Sequence, residues 1–170
     1  MAHFKAARFL VLIFFATPAL SAELPARKPG LWEIETTLPS PKLPKQIIRQ
    51  CVDAATDQMM QSRAGIGSQR ECSKHDLQKS AGSITIDSTC TVAGKTRTSH
   101  VVITGSFDSS YTVIVTSQSE GTESRNVTMA AKWIGPCAAG QKPGDVIMAN
   151  GMKMNIMDVQ KPGAPAGGRQ

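Results

Sequence analysis

Four cysteines, Cys51, Cys72, Cys90 and Cys137, set the tightest limit on how this chain can fold. Their spacings of 21, 18 and 47 residues contain no close pair of the kind a zinc site uses. Neither His75 nor His100 stands in a ligand-like register beside them. In an oxidising compartment an even cysteine count reads as a disulfide framework, and four cysteines allow three pairings. Whether the compartment is oxidising is decided by the first residues.

Residues 1–22 read as a secretory signal peptide. Lys5 and Arg8 make a basic start, Phe9 to Ala16 is an apolar run, and Ala19-Leu20-Ser21-Ala22 offers small residues to a peptidase. The run falls well short of the roughly 20 apolar residues that span a bilayer, so no stable membrane span is expected after cleavage. Cleavage after Ala22, or after Ser21, would release a periplasmic protein of about 148 residues, enough for one domain. That leader carries two of the basic side chains and no acidic one, so net charge falls from +6 to +4. The remaining charge is dispersed, with no block of Lys or Arg interleaved with aromatics, which argues against a nucleic-acid partner. Only Trp32, Phe107, Tyr111 and Trp133 remain as aromatics, so the core must rest on Ile, Val, Leu and Met.

Alternation of apolar and polar residues predicts a mainly β fold. Trp32, Ile34, Thr36 and Leu38 mark one face of a strand over Gly30–Leu38. The Pro39–Pro44 stretch cannot continue a ladder, and Lys45–Val52 is a weaker strand. Asp53 opens a short helix whose end is suggested by Gly65. Strands follow at Glu71–Lys79, Ser83–Thr91, Lys95–Gly105, Ser110–Ser117 and Arg125–Ile134, with turn signals every 8–12 residues. This is an antiparallel meander of about seven strands, curved or barrel-like, with a C-terminal hairpin around Asn150-Gly151. The expected domain is residues 23–160, and the Gly-, Pro- and Ala-rich residues 161–170 read as a disordered tail.

This topology favours one disulfide pairing. Cys72 and Cys90 are equidistant from Ala81 in a three-residue loop, Ser80-Ala81-Gly82, which sets them opposite each other. Three further strands carry Cys137 to the other end of the sheet, and a helix of roughly 16 Å could bring the chain back from Cys51 at that same end. Cys72–Cys90 with Cys51–Cys137 is the expected framework; Cys51–Cys72 with Cys90–Cys137 is the rival if the helix is only a local cap.

The order of these features resembles the bacterial secreted proteins grouped as domain of unknown function 3617. The resemblance rests on Pro29-Gly30-Leu31-Trp32-Glu33, on Cys51 followed by an acidic helix, on Cys72 and Cys90 around a Gly turn, and on Trp133-Ile134-Gly135-Pro136-Cys137. It implies export and a single fold over residues 29–137, and it brings no activity, cofactor or catalytic residue.

No nucleophile elbow such as Gly-x-Ser-x-Gly appears, so no enzyme is expected. The inferred hairpin register sets His75 opposite Asp87, the one acid–base pair that a hydrolase-type alternative could use. Met148, Met152, Met154 and Met157 are the weak candidates for a periplasmic Cu(I) site, since soft thioethers select that ion. A two-residue Asn150-Gly151 turn puts Met152 and Met154 with Ile147 and Ala149, and Met148 on the opposite face with Lys153. Two thioethers among aliphatics read as core filler, and strong Cu(I) binding is not expected. No other metal or cofactor is indicated. The remaining reading is a non-enzymatic module that binds an apolar ligand or a cell-envelope partner on a curved sheet.

Overall fold

A computed structural model describes residues 23–40, 42–63 and 72–158. The expected signal peptide, the helix stop expected at Gly65 and the tail expected at 161–170 lie outside these residues. Among the described residues nine strands and one helix follow in chain order: β1 (Gly30–Thr37), β2 (Gln46–Val52), α1 (Ala54–Arg63), β3 (Cys72–Ser80), β4 (Ser83–Val92), β5 (Lys95–Ser106), β6 (Ser110–Ser119), β7 (Arg125–Gly135), β8 (Asp145–Ile147) and β9 (Lys153–Asn155). All nine join one antiparallel sheet in the order β3-β4-β5-β6-β7-β1-β2-β8-β9. The count exceeds the expected seven because the C-terminal hairpin extends the same sheet instead of standing apart from it.

The sheet is open, with β3 and β9 at its edges, and it curls. Ile48 on β2 and Ile103 on β5 line one cavity of about 200 Å³, although a flat sheet would hold strands four places apart about 19 Å from each other. The inner face carries two clusters of buried side chains. One holds Trp32, Val52, Met60, Ala131, Val146 and Ile156. The other holds Ile84, Ile86, Val101, Ile103 and Val113, and Tyr111 packs against both. Alternation along the strands puts Thr85, Asp87, His100 and Thr112 on the outer face, which is why a single sheet can be apolar on one side only.

Helix α1 starts where the sequence places it. The Asp53 carboxylate accepts the Thr56 backbone N–H at 2.9 Å, and the Thr56 hydroxyl oxygen accepts the Asp53 N–H at 3.0 Å, a reciprocal cap that satisfies two free donors. The chain enters β1 through Gly30, at φ 133°. A Cβ there would meet the Gly135 carbonyl oxygen and Trp133 Nε1 at 2.5 Å, so only glycine allows this approach.

Two registers differ from the sequence expectation by one residue each. Across β3 and β4, Leu77 faces Ile86 and His75 faces Ser88, with a two-residue Ala81-Gly82 turn in place of the three-residue loop. Pairing Leu77 with Ile86 buries both on the inner face, whereas the expected register sets Leu77 against Thr85. An irregularity between Cys72 and Lys74 then restores the facing of Cys72 and Cys90. Across β8 and β9, Asp145 faces Asn155 and Val146 faces Met154, closed by Ala149-Asn150-Gly151. Like groups meet in this register: Asn155 Nδ2 donates to Asp145 Oδ1 at 2.8 Å within the interior, and this outweighs the two-residue turn that Asn-Gly favours.

Candidate functional site

The cavity on the inner face is built from three layers of contact. Residues 23–29, ahead of β1, cross the mouth of the sheet. The Lys28 N–H donates to the Phe107 carbonyl at 2.8 Å, and Trp32 and Trp133 donate their indole N–H groups to the carbonyls of Lys28 and Pro29 at 2.8 and 3.1 Å. The Lys28 ammonium stands 3.7 Å from the centre of the Trp133 ring, a cation–π contact. Helix α1 closes the space from above.

Asp57 and Arg27 lock these two covers together. Asp57 is fully buried and Arg27 nearly so. The carboxylate accepts the Arg27 backbone N–H at 2.8 Å, its Nε at 2.5 Å and the Gln61 amide at 2.8 Å. Gln61 also donates to the Pro25 carbonyl at 3.1 Å. A buried ion pair survives desolvation only when its remaining donors and acceptors are satisfied, and this one meets that condition on the carboxylate side. The guanidinium lies 5.8 Å from the Trp32 ring centre, and its Nη2 reaches the Met60 sulfur at 3.7 Å.

Beneath that pair the walls are apolar. Leu24, Ile34, Ile48, Phe107, Val113 and Met129 line the cavity, with Tyr111 stacked on Phe107 at 4.6 Å. Burial pushes the Tyr111 hydroxyl above its ordinary pKa; Arg27 opposes that rise and Asp57 adds to it. The cavity therefore offers a mostly apolar wall, with Thr36 and Gln50 as its further polar lining, and a polar end where the guanidinium charge is already neutralised.

The residues proposed from sequence fall elsewhere. His75 and Asp87 do not form a pair: His75 faces Ser88 on the inner side of the sheet, and Asp87 sits on the outer side. There Asp87 Oδ1 lies 2.8 Å from His100 Nδ1, an exposed pair. Asp76 stands opposite Asp87, and this like-charge juxtaposition is relieved by His100 on one side and by Lys74, 3.8 Å from Asp76, on the other. The buried Nδ1 of His75 has no hydrogen-bond partner among the described residues. With Asp87 on the other face of the sheet, the His75–Asp87 acid–base arrangement loses its geometry.

All four cysteines are oxidised. Cys51–Cys137 and Cys72–Cys90 are the two disulfides, the framework expected from the crossover argument. Met148, Met152, Met154 and Met157 are all exposed, not buried as core filler. Arg27, Asp57 and Gln61 were not singled out in the sequence, and Tyr111 only as one of four aromatics. Asp57, Met60 and Gln61 share one face of α1 by their 3- and 4-residue spacing, a signal open to reading; the partner of Asp57, 30 residues earlier, is not.

No helix among the described residues is long and apolar enough to cross a membrane, and no group of three or more His, Cys, Asp or Glu there could hold a metal ion. These features define a small disulfide-clamped antiparallel sheet with a covered apolar hollow. Residues 27–137 match the family described as protein of unknown function (DUF3617), and the chain belongs to that family. The match starts at Arg27, the cation of the buried pair, and ends at Cys137, the last cysteine of the framework. No curated protein and no solved structure matches the chain.

Proposed function

We propose that this protein is an exported, non-enzymatic binding module of the bacterial cell envelope, which holds a small apolar ligand in the hollow between its inner sheet face and α1. The observation that carries this reading is the cavity of about 200 Å³, walled by Ile34, Ile48, Phe107, Val113 and Met129 and capped by a neutralised Arg27–Asp57 pair. Its volume lies below the roughly 300–1,000 Å³ of sites for drug-sized ligands, which suits a small apolar molecule or one end of an acyl chain. The Arg27 charge is already balanced, so the polar end favours an uncharged head group over a carboxylate. Export is supported by the basic and apolar leader at residues 1–22 and by a framework with no free cysteine. The separation of His75 from Asp87 onto opposite faces supports the non-enzymatic part.

Protein expressed with its own leader and recovered from the periplasm, then extracted into organic solvent, supplies the test. Mass spectrometry of the extract is expected to show one class of apolar molecule at near-stoichiometric amount, on a chain that begins at Glu23 or Ala22. A chain that retains residues 1–22 in the membrane fraction would overturn the export reading. An extract with no enriched molecule, from protein that also takes up no apolar probe, would overturn the ligand reading.

A further inference from the structure

The β8–β9 hairpin holds three methionines in an arrangement that the cavity does not use. Val146 faces Met154, Ile147 faces Lys153, and the Met148 N–H donates to the Met152 carbonyl at 2.9 Å. Side chains of facing residues share a side of the ladder, so Met148, Met152 and Met154 lie on one face with Val146. Asp145, Ile147, Lys153 and Asn155 lie on the other. This reverses the expectation that Met148 is turned away from Met152 and Met154. The three side chains are 37%, 56% and 43% exposed, whereas Met59, Met60 and Met129 are buried or half-buried. Methionine is among the residue types most often buried, so three left this exposed where the inner face continues past buried Val146 need a reason other than packing.

We propose that Met148, Met152 and Met154 form a thioether site for one Cu(I) ion. Facing residues hold their Cβ atoms about 4.5–5.5 Å apart and diagonal ones about 7–8 Å. Methionine has three rotatable bonds beyond its backbone, which lets three sulfurs turn from those positions onto a common point. Neutral thioether sulfur is a soft ligand that suits Cu(I) and gives little to magnesium, calcium or zinc. The one acidic side chain of the two strands, Asp145, is on the far face, where Lys153 Nζ lies 3.2 Å from it. Hard cations therefore find no carboxylate on the methionine face of the two strands.

The hairpin is also held firmly enough to present a fixed set of sulfurs. The Ile156 N–H donates to the Gly144 carbonyl at 3.0 Å, and the Gly144 N–H donates to the Cys51 carbonyl at 2.9 Å. Lys153 Nζ donates to the Gly140 carbonyl at 3.0 Å, and the Asn155 amide bonds both Asp145 and the Pro143 carbonyl. Cys51–Cys137 anchors the segment leading into the hairpin. A supported platform of this kind lowers the ordering cost of binding. The site lies beyond residues 27–137, so it belongs to this chain independently of the family match and of the apolar cavity.

Cu(I) itself is the probe, kept reduced with ascorbate and titrated against a chromophoric Cu(I) chelator, with thiol assay confirming that both disulfides stay intact. The wild-type protein is expected to withdraw one Cu(I) per chain, with X-ray absorption showing sulfur ligands alone. Met152→Leu should weaken binding at least about tenfold, since loss even of an outer-shell partner typically has that effect, and the Met148→Leu, Met152→Leu, Met154→Leu triple variant should abolish it. These volume-conserving swaps at exposed positions leave the melting temperature in place, so lost binding cannot be read as lost folding. Failure of the wild type to compete with the chelator, or equal Cu(I) affinity in the triple variant, would overturn the proposal.

Discussion

The two ends of the sheet are built on different principles. Around β1, β2 and β8 the sheet is packed on both sides. Trp32, Val52 and Val146 face α1 within, while on the outer side Leu31 and Cys51 are buried and Cys137 is tied to Cys51 through its disulfide. The β3–β6 wing is covered on one side only: Ile84, Ile86, Val101 and Ile103 are buried within, and their alternating neighbours Thr85, Asp87, His100 and Thr104 form the outer face. Each end has its own cross-link, separated by 86 residues for Cys51–Cys137 and by 18 for Cys72–Cys90. The contrast teaches that this small domain concentrates its order where two covers meet, and leaves the curled wing as the wall of a hollow.

The largest effect should come from the clamped end. Replacing Cys51 and Cys137 by serine removes a long closed loop, worth about 4.5 kcal/mol in the chain-entropy model, against about 3 kcal/mol for the Cys72, Cys90 double replacement. Urea unfolding midpoints of the two variants give the order directly. A wing variant less stable than the clamp variant would break the comparison.

Asp57→Ala comes next. It strands the Arg27 guanidinium in the interior, and removing one partner of a buried pair costs about 3–5 kcal/mol. Because Arg27 and Gln61 join the entry segment to α1, the variant should also bare Leu24 and open the mouth of the cavity, seen as faster proteolysis between residues 23 and 30. A loss below about 1 kcal/mol would mean that the two covers are held by packing alone.

The smallest effect is at the helix start. Asp53→Ala should cost about 1 kcal/mol at neutral pH. Bonds from the Thr56 backbone and hydroxyl favour the charged carboxylate and hold the Asp53 pKa below 3.8, with burial as the weaker opposing influence. A depressed folded-state pKa means that this stabilisation is present above the ordinary carboxylate range and is lost as pH falls through the folded value. The gap between wild type and variant, followed by thermal unfolding against pH, should therefore be constant from pH 7 to about 5 and close in stronger acid. A gap that widened on acidification would contradict the cap.

Legibility in the sequence followed the range of the forces involved. A period-two pattern such as Trp32-Ile34-Thr36 depends on one strand and one buried face, and the strands expected at Gly30–Leu38 and Ser110–Ser117 end within two residues of β1 and β6. The Asp53 cap is equally local. Registers were less legible, because a turn such as Ala81-Gly82 or Asn150-Gly151 permits neighbouring loop lengths and the choice is made by partners across the sheet. Leu77 against Ile86 decides the first, and Asn155 against Asp145 the second. One wrong residue in each case was enough to create a false His75–Asp87 pair and to split the methionines between two faces. The Cys72–Cys90 facing nevertheless came out correctly, because the irregularity before Lys74 offsets the shorter turn. The cavity was the least legible feature: it needs the curl of five strands, the helix and the Arg27–Asp57 contact together, and no window of sequence contains them.

The central claim is that the hollow beneath α1 takes an apolar ligand, and a fluorescence titration with an uncharged naphthyl probe tests it most directly. Ala131 lines the cavity and is almost fully buried, while Ile114 is exposed on the outer face. Wild-type protein should bind one probe per chain. Ala131→Leu, which pushes its added carbons into the hollow, should weaken binding at least about tenfold for a stability cost within about 1–3 kcal/mol, and Ile114→Ser should leave binding unchanged. Probe binding that survives Ala131→Leu and disappears with Ile114→Ser would place the apolar site on the outer surface and contradict the account.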